Sequence, residues 1–366
     1  MSSESGELHS RVQEMHAIST KPQGKSRTKM SRKVVGLARN FGWPVNRQGY
    51  AEVDAEYVEI LCKTESEIME AIADADAVFA PAEHFGREVI EHMRKCRLIS
   101  VAGVGYDHVD TDAATERGIC VSNTPEYCTE EVSDQAMALL LACARKVVAS
   151  VARVKAGEWD SLVDARLQTE IRPMFRMRGQ TLGIVGIGRI GRALVPKARG
   201  FGMRVIAYDP YLDPGVAREM MVDLVEFDRL LEESDFVSLH MPLTSETGHM
   251  FGLEQFRRMK PTAVFINVSR GGLVNERALH TALTRGYIAG AGLDVTDPEP
   301  PAADNPLLKL ENALITPHTG YYSEQSLIDV LEQAEEEVFR VLGGDWPRNL
   351  VNGGVKEIYV RKWGQT

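Results

Sequence analysis

The sequence predicts an α/β protein of two doubly wound domains, each built on a parallel sheet. Its 366 residues exceed one ordinary domain and suit two. Short apolar runs alternate with amphipathic stretches along most of the chain, which is typical of βαβ units with helices on both faces of a sheet. A glycine-spaced turn at Gly186, Gly188 and Gly191 opens the second of two such series.

Composition bounds the possible functions. A hydrophobic content of 44% and a charged content of 26% are typical of a globular protein with an adequate core. The net charge of −10 argues against nucleic acid as a general partner. The five cysteines show no metal-ligand or CxxC spacing, so we expect no metal site and reduced thiols in a cytoplasmic protein. No apolar run reaches membrane length and no signal-peptide pattern opens the chain, so we expect no membrane partner.

The first series follows a polar segment, residues 1–30, that lacks periodicity and is predicted to be a disordered tail; a basic targeting arm is the alternative. Five predicted strands span Val34–Leu37, Tyr57–Leu61, Ala77–Ala80, Leu98–Ala102 and Ile119–Ser122. Predicted helices between them include Glu65–Ala73 and Glu88–Lys95. The pattern indicates a small flavodoxin-like domain.

A long helix is predicted next, over about Glu130–Lys155. It is apolar around most of its circumference, so we expect it to be buried on several sides, at a seam between domains or subunits.

The second series contains six predicted strands: Gly183–Ile187, Arg204–Tyr208, Phe236–His240, Ala263–Val268, Gly290–Leu293 and Ala313–Thr316. A final helix is predicted over Ser323–Leu342, and too little chain follows it for a third domain. We therefore expect a Rossmann domain at 127–319 inserted in a first domain formed by 31–126 and 320–366.

The glycine turn has the context of a dinucleotide-binding fingerprint. The first glycine permits a tight turn, the second lets the backbone approach a pyrophosphate, and the third lets helix pack on strand. Asp209 ends the next predicted strand, about twenty residues on, where a carboxylate accepts from a ribose 2′-hydroxyl and repels a 2′-phosphate. These features predict NAD rather than NADP as cofactor; a structural turn with a surface aspartate is the alternative.

Ligands of an open α/β sheet bind beyond the carboxyl ends of the strands. The residues that follow predicted strands there are Gly188, Asp209, His240, Arg270, Asp294 and His318.

Two of these residues, Arg270 and His318, together with Glu299 on a nearby loop, suit hydride transfer to a carbonyl. Arg270 offers a forked guanidinium that binds a carboxylate and polarises a carbonyl. His318 has a pKa range suited to a proton donor, and Glu299 would favour its imidazolium form and hold the ring. The alternatives are a surface ion pair for Arg270, a solvated loop acid for Glu299 and an ordinary loop histidine for His318.

From residue 33 to about 352, the chain resembles the D-isomer-specific 2-hydroxyacid dehydrogenases. The resemblance rests on the glycine turn, then Asn267-Val268-Ser269-Arg270-Gly271-Gly272, Asp294 with Glu299, and Pro317-His318. It implies hydride transfer between NAD(H) and a 2-hydroxy or 2-oxo acid, with Arg270, Glu299 and His318 catalytic. It also implies a homodimer, as that family usually forms.

The resemblance implies further site residues. The cofactor would contact Gly186, Gly188, Arg189, Ile190, Gly191, Asp209, His240, Met241, Pro242, Thr247, Val268, Ser269, Arg270, Asp294, His318 and Gly320. The substrate would contact Val104, Gly105, Arg270, His318 and Tyr321. Successive amides in the glycine-rich loop at Val104 and Gly105 would form an anion-binding nest, although a plain turn is also consistent with that loop.

Within the family the chain is most similar to the C-terminal-binding-protein branch. The similar segments are Tyr127–Asp134 and His318–Gln325, although Tyr321 stands where the animal corepressors carry tryptophan. This similarity keeps a second hypothesis open, an NAD(H)-sensing interaction protein with little turnover.

Overall fold

A computed structural model describes residues 32–37, 45–80, 83–159 and 173–364. The chain divides into two compact units, one formed by residues up to Tyr127 and from Ser323 onward, the other by Cys128–Tyr322. The predicted N-terminal tail lies outside the described residues.

The first unit holds a five-stranded parallel sheet. Its strands are β1 (Arg32–Leu37), β2 (Ala55–Ile60), β3 (Ala77–Ala80), β4 (Leu98–Val101) and β5 (Cys120–Ser122). The strand order β2-β1-β3-β4-β5 is the flavodoxin-like order. The helices of this unit are α1 (Arg47–Glu52), α2 (Glu65–Ile72), α3 (Arg87–His92), α4 (Thr111–Glu116), α12 (Glu324–Gly343) and α13 (Lys356–Trp363).

Both faces of this sheet are covered. Val34 and Val35 are adjacent on β1 and both fully buried, yet they belong to two different apolar clusters. One cluster includes residues of α12 and α13, such as Val338 and Tyr359. Because helices cover both faces of a parallel sheet, its strands appear in the sequence as continuous apolar runs.

The second unit holds a seven-stranded parallel sheet. Its strands are β6 (Thr181–Val185), β7 (Arg204–Tyr208), β8 (Asp223–Leu224), β9 (Phe236–Leu239), β10 (Val264–Asn267), β11 (Gly290–Leu293) and β12 (Ala313–Ile315). Its helices are α5 (Thr129–Ala144), α6 (Val147–Lys155), α7 (Arg189–Gly200), α8 (Pro214–Glu219), α9 (Phe227–Glu233), α10 (Leu253–Arg258) and α11 (Glu276–Arg285). Single 3₁₀ turns span Gly271–Leu273, Pro306–Lys309 and, in the first unit, Gly353–Val355.

The strand order β12-β11-β10-β9-β6-β7-β8 is that of a Rossmann sheet with one strand added at an edge. The order reverses at β6, which pairs with β7 on one side and β9 on the other. Ligands bind beside such a reversal, and β6 is the strand that leads into the glycine turn. The predicted fold class, two parallel-sheet α/β domains, is confirmed.

The single long helix predicted over Glu130–Lys155 is wrong. The chain forms α5 and α6 instead, separated at Arg145 and Lys146, and Lys146 adopts a left-handed conformation with φ of 52°. Seven of the sixteen residues of α5 are buried, whereas α6 has no buried residue. The pattern changes at the break, because continuous Ala and Leu give way to valines on one face of a charged helix.

Among the helices of the described residues, none has both the length and the apolar character needed to cross a bilayer.

Candidate active site

The three fingerprint glycines have three different surroundings. Gly186 has φ of +88°, and a Cβ there would lie 2.7 Å from the carbonyl oxygen of His240. A Cβ on Gly191 would lie 2.5 Å from the carbonyl oxygen of Gly186. By contrast, a Cβ on Gly188 would meet no described atom within 4 Å. The first and third glycines are therefore required by the fold, while the second leaves open space at the N-terminus of α7, where Arg189 and Ile190 begin the helix. This is the space that a pyrophosphate needs.

Asp209 is fixed against the glycine turn. Its Oδ2 accepts from the backbone N–H of Ile187 at 3.0 Å, and its Oδ1 accepts from the N–H of Tyr211 at 3.0 Å. The carboxylate thus lies at the carboxyl end of β7, beside the turn that follows β6. An acidic group held at this point suits a ribose diol and disfavours a phosphate.

The segment after β9 lies on the other side of the turn. The His240 ring hydrogen-bonds through Nε2 to Ser238 Oγ at 2.8 Å, and burial lowers the pKa of His240 to about 3. The ring is therefore neutral. Thr247 Oγ1 donates to the Pro242 carbonyl at 2.7 Å, which closes the loop that also contains Met241.

Arg270 is presented by a braced loop after β10. The buried Asn267 side chain donates to the Arg270 carbonyl at 2.9 Å and accepts from the N–H of Ser269 at 3.0 Å. Ser269, which follows Val268, donates through Oγ to the Leu239 carbonyl of β9 at 2.7 Å. A Cβ at Gly271 would collide with the Thr296 carbonyl, so the loop of Arg270 packs directly on the loop that leads to Glu299.

Asp294 is 2% exposed and directly follows β11. Its Oδ2 accepts from the N–H of Gly320 at 2.7 Å, and its Oδ1 accepts from the N–H of Thr319 at 3.1 Å. Oδ1 also accepts from Thr316 Oγ1 at 2.5 Å and from Gln135 Nε2 at 3.3 Å. The carboxylate therefore anchors the segment that carries His318.

His318 and Glu299 form a direct pair. His318 Nδ1 lies 2.7 Å from Glu299 Oε2, and the N–H of Thr296 donates to the other carboxylate oxygen at 3.1 Å. Burial would raise the pKa of Glu299, but the hydrogen bond from His318, its charge, the Thr296 N–H and the charge of Arg270 together hold that pKa below its usual range. Both side chains keep an open side, since His318 is 42% and Glu299 37% exposed.

The remaining predicted substrate residues lie in two places. The Tyr321 ring packs edge-on to His318, with ring centroids 6.2 Å apart, in the second unit. Val104 and Gly105 belong to the first unit, where Asn123 Nδ2 donates to the Val104 carbonyl at 2.7 Å and the Thr124 N–H donates to the Gly103 carbonyl at 3.0 Å. These bonds fix the shape of the loop through its carbonyl oxygens.

The sequence analysis assigned no role to several polar residues of this region. Asn267, Thr296, Thr316 and Gln135 each bond to a predicted site residue or to its neighbour. Asn267 carried a signal, because it is a polar residue at the end of an otherwise apolar strand. Gln135 carried none, because its partners lie more than 150 residues further along the chain.

The fold and this geometry define a class of protein, the dinucleotide-binding α/β oxidoreductases. Comparison with known proteins specifies the family. Residues 137–320 match the NAD-binding domain of the D-isomer specific 2-hydroxyacid dehydrogenases. The chain belongs to this family of NAD-dependent oxidoreductases, and the predicted family, cofactor and enzyme class are confirmed.

Individual relatives support this family membership. The chain is 42% identical over 324 residues to a glyoxylate reductase of Korarchaeum cryptofilum, covering 86% of this chain and 95% of that one. It is 42% identical over 294 residues to a D-3-phosphoglycerate dehydrogenase of Methanocaldococcus jannaschii, covering 79% of this chain and 54% of that one. A D-lactate dehydrogenase of Aquifex aeolicus, solved with NAD and lactic acid, superimposes with a TM-score of 0.75 at 28% identity, covering 88% of this chain and 99% of that one.

These relatives are named as enzymes, so they do not favour the hypothesis of an interaction protein with little turnover. They do not specify the C-terminal-binding-protein branch, which stays a prediction.

Proposed function

We propose that the protein reduces a small 2-oxo acid to the D-2-hydroxy acid, with His318 as the proton donor. The pair of His318 Nδ1 and Glu299 Oε2 at 2.7 Å carries this proposal. An ionised glutamate accepts the Nδ1 hydrogen, so Nε2 is the ring nitrogen left to exchange a proton with substrate oxygen. Glu299 thereby sets the ring orientation and leaves Nε2 to face the substrate oxygen.

Arg270 would bind the carboxylate of the 2-oxo acid and polarise the keto oxygen of the same substrate. Its backbone is braced by Asn267 and its Nη1 donates to the Ser269 carbonyl at 2.8 Å, which orients the guanidinium. In the first unit, the successive N–H groups of Val104 and Gly105 would bind an anion such as a carboxylate. Tyr321, whose ring packs edge-on to His318, would line the substrate site beside that histidine.

NAD(H) supplies or accepts the hydride when it is bound. The residues around the glycine turn fit the cofactor, because a Cβ at Gly188 would meet no described atom within 4 Å and Asp209 is held where a ribose diol would be recognised. Among the described residues, Oδ1 of Asp294 accepts three hydrogen bonds and Oδ2 accepts one, so Oδ2 keeps the lone pair that could accept from a second donor. The nicotinamide carboxamide would be that donor. His240, Met241, Pro242, Thr247, Val268 and Ser269 would line the rest of the cofactor site.

Glyoxylate is the first substrate to test, because the relative from Korarchaeum cryptofilum is named a glyoxylate reductase. The experiment is an assay of NADH oxidation with glyoxylate, pyruvate, hydroxypyruvate and bulkier 2-oxo acids, with NADPH in parallel. We expect turnover with at least one acid and a preference for NADH, since Asp209 disfavours the 2′-phosphate. Absence of turnover with every acid would contradict the proposal and favour the sensing hypothesis.

We also propose that α6 joins two copies of this chain. Val147, Val148, Val151 and Val154 are 47–53% exposed and lie along one face of a helix that has no buried residue. An apolar helical face of this kind is typical of a protein interface. Light scattering should give about twice the chain mass of 40.6 kDa for the wild type and a monomer for the V148D/V151D variant. Val360→Asp, an exposed valine of α13, is the matched control that should stay dimeric.

A cytoplasmic location completes the proposal. All five cysteines are free thiols, and four of them, all except Cys62, are buried. Free thiols persist in reducing compartments, whereas secreted domains of this size usually pair them. Fractionation of the source cells should recover the protein with the cytoplasmic markers.

A further inference from the structure

The backbone at His318 adopts a conformation that requires support. Its φ is +53°, in the left-handed region that non-glycine residues adopt only at a cost. The supporting bonds come from β11 and the chain around it. The N–H of His318 donates to the Asp294 carbonyl at 2.8 Å, and the next two N–H groups, of Thr319 and Gly320, donate to the Asp294 carboxylate. The position of the imidazole therefore depends on how firmly Asp294 itself is held.

Gln135 holds both Asp294 and its neighbour Thr316. Its Nε2 donates to Asp294 Oδ1 at 3.3 Å and to Thr316 Oγ1 at 2.9 Å, and that hydroxyl in turn donates to the same Oδ1. A donor that feeds a hydroxyl strengthens the bond that the hydroxyl makes. The Gln135 side chain also packs closely, because its Cγ would lie 3.2 Å from a Cβ placed on Gly320.

Packing of α5 on the sheet brings Gln135 to this point. A Cβ at Gly292 of β11 would lie 3.0 Å from Cβ of Leu139, so the glycine lets α5 approach the strand closely. Gln135 lies one helical turn before Leu139, and Asp294 lies two residues after Gly292. Residues four apart share a helix face, and alternate residues share a face of a strand. The Gln135 amide is thus placed by a helix that packs directly on β11, rather than by a loop.

We propose that Gln135 is a positioning residue for catalysis, acting through Asp294 and Thr316 to hold His318 in place. This inference rests on the proposed role of His318. It assigns a part in the reaction to a helix residue that carries no chemistry of its own.

The test compares Gln135→Met and Gln135→Glu with the wild type. Methionine keeps the length of the side chain but donates no hydrogen bond, so we expect kcat to fall about tenfold. Glutamate also places a second carboxylate against Asp294, so the fall should be larger. The KM for the 2-oxo acid should change less than about threefold in Gln135→Met, because Arg270 is untouched. A melting curve and an NADH titration by fluorescence establish that each variant folds and binds cofactor.

Ser133→Ala is the matched control on the same helix. Ser133 is buried, donates to the Glu130 carbonyl at 2.9 Å and accepts from Lys197 at 2.6 Å, so its loss should lower the melting temperature without lowering kcat. A Gln135→Met enzyme whose kcat stays within twofold of the wild type would overturn the inference. Absence of wild-type turnover with every 2-oxo acid would instead overturn the proposed function, so the two failures are distinguishable.

Discussion

Replacement of His318 by asparagine should lower kcat about 1000-fold while NADH affinity stays within about twofold, because a positioned general acid contributes factors of 10² to 10⁴. Asparagine is the informative substitute. It tolerates the left-handed backbone at this position, with its φ of +53°, better than alanine does. Its amide can still donate to Glu299, so the variant removes the exchangeable proton and leaves the loop intact. Steady-state turnover and an NADH fluorescence titration measure the two quantities.

His249→Asn is the matched control for this prediction. His249 also has a positive φ, +53°, and lies on an exposed loop of the same unit, with its N–H bonded to the Gly272 carbonyl. The control should turn over like the wild type. A His318→Asn enzyme that kept kcat within threefold would show that the proton comes from elsewhere.

The ionisation of Glu299 should set the lower pH limit at which the His318–Glu299 pair stabilises the folded protein. Its pKa is held below the ordinary glutamate value of about 4.3. A carboxylate whose folded pKa is depressed contributes stability that is present above the unfolded pKa and lost as the pH falls through the folded one. The His318–Glu299 pair should therefore persist from neutral pH down to the ordinary glutamate pKa.

The sequence predicted the features that depend on residues close together in the chain. The strand ends, the glycine turn and Asp209 could be predicted because a polar or glycine residue follows each apolar strand within one or two positions. Asp294 also was found in this way, but its partner Gln135 was not, since that contact arises only when α5 packs on Gly292. The break at Lys146 was missed because the helical pattern was extended through it, although a left-handed residue there ends one helix and begins the next. The exposed valines of α6 were missed for a related reason, since an apolar pattern predicts burial but does not show what covers the apolar face.

Substitution of Gly188 by alanine should separate cofactor binding from folding. A Cβ at Gly188 would meet no described atom within 4 Å, and its φ of −69° suits any residue, so the variant should melt at or slightly above the wild-type temperature. The same methyl group would occupy the space in which the backbone approaches a pyrophosphate. We expect NADH affinity to fall about 100-fold, equal to roughly 2.7 kcal/mol.

The other two fingerprint glycines provide the contrast. Alanine at Gly186 would be strained at φ of +88° and would press on the His240 carbonyl, while alanine at Gly191 would press on the Gly186 carbonyl. Those two variants should lose stability even without cofactor. Gly200→Ala, at the far end of the same helix α7, also meets no described atom within 4 Å; it should leave NADH affinity unchanged and melt at or slightly above the wild-type temperature. If Gly188→Ala bound NADH as tightly as Gly200→Ala, the pyrophosphate would not lie against this turn, and the cofactor geometry proposed for Asp209 and Asp294 would be wrong.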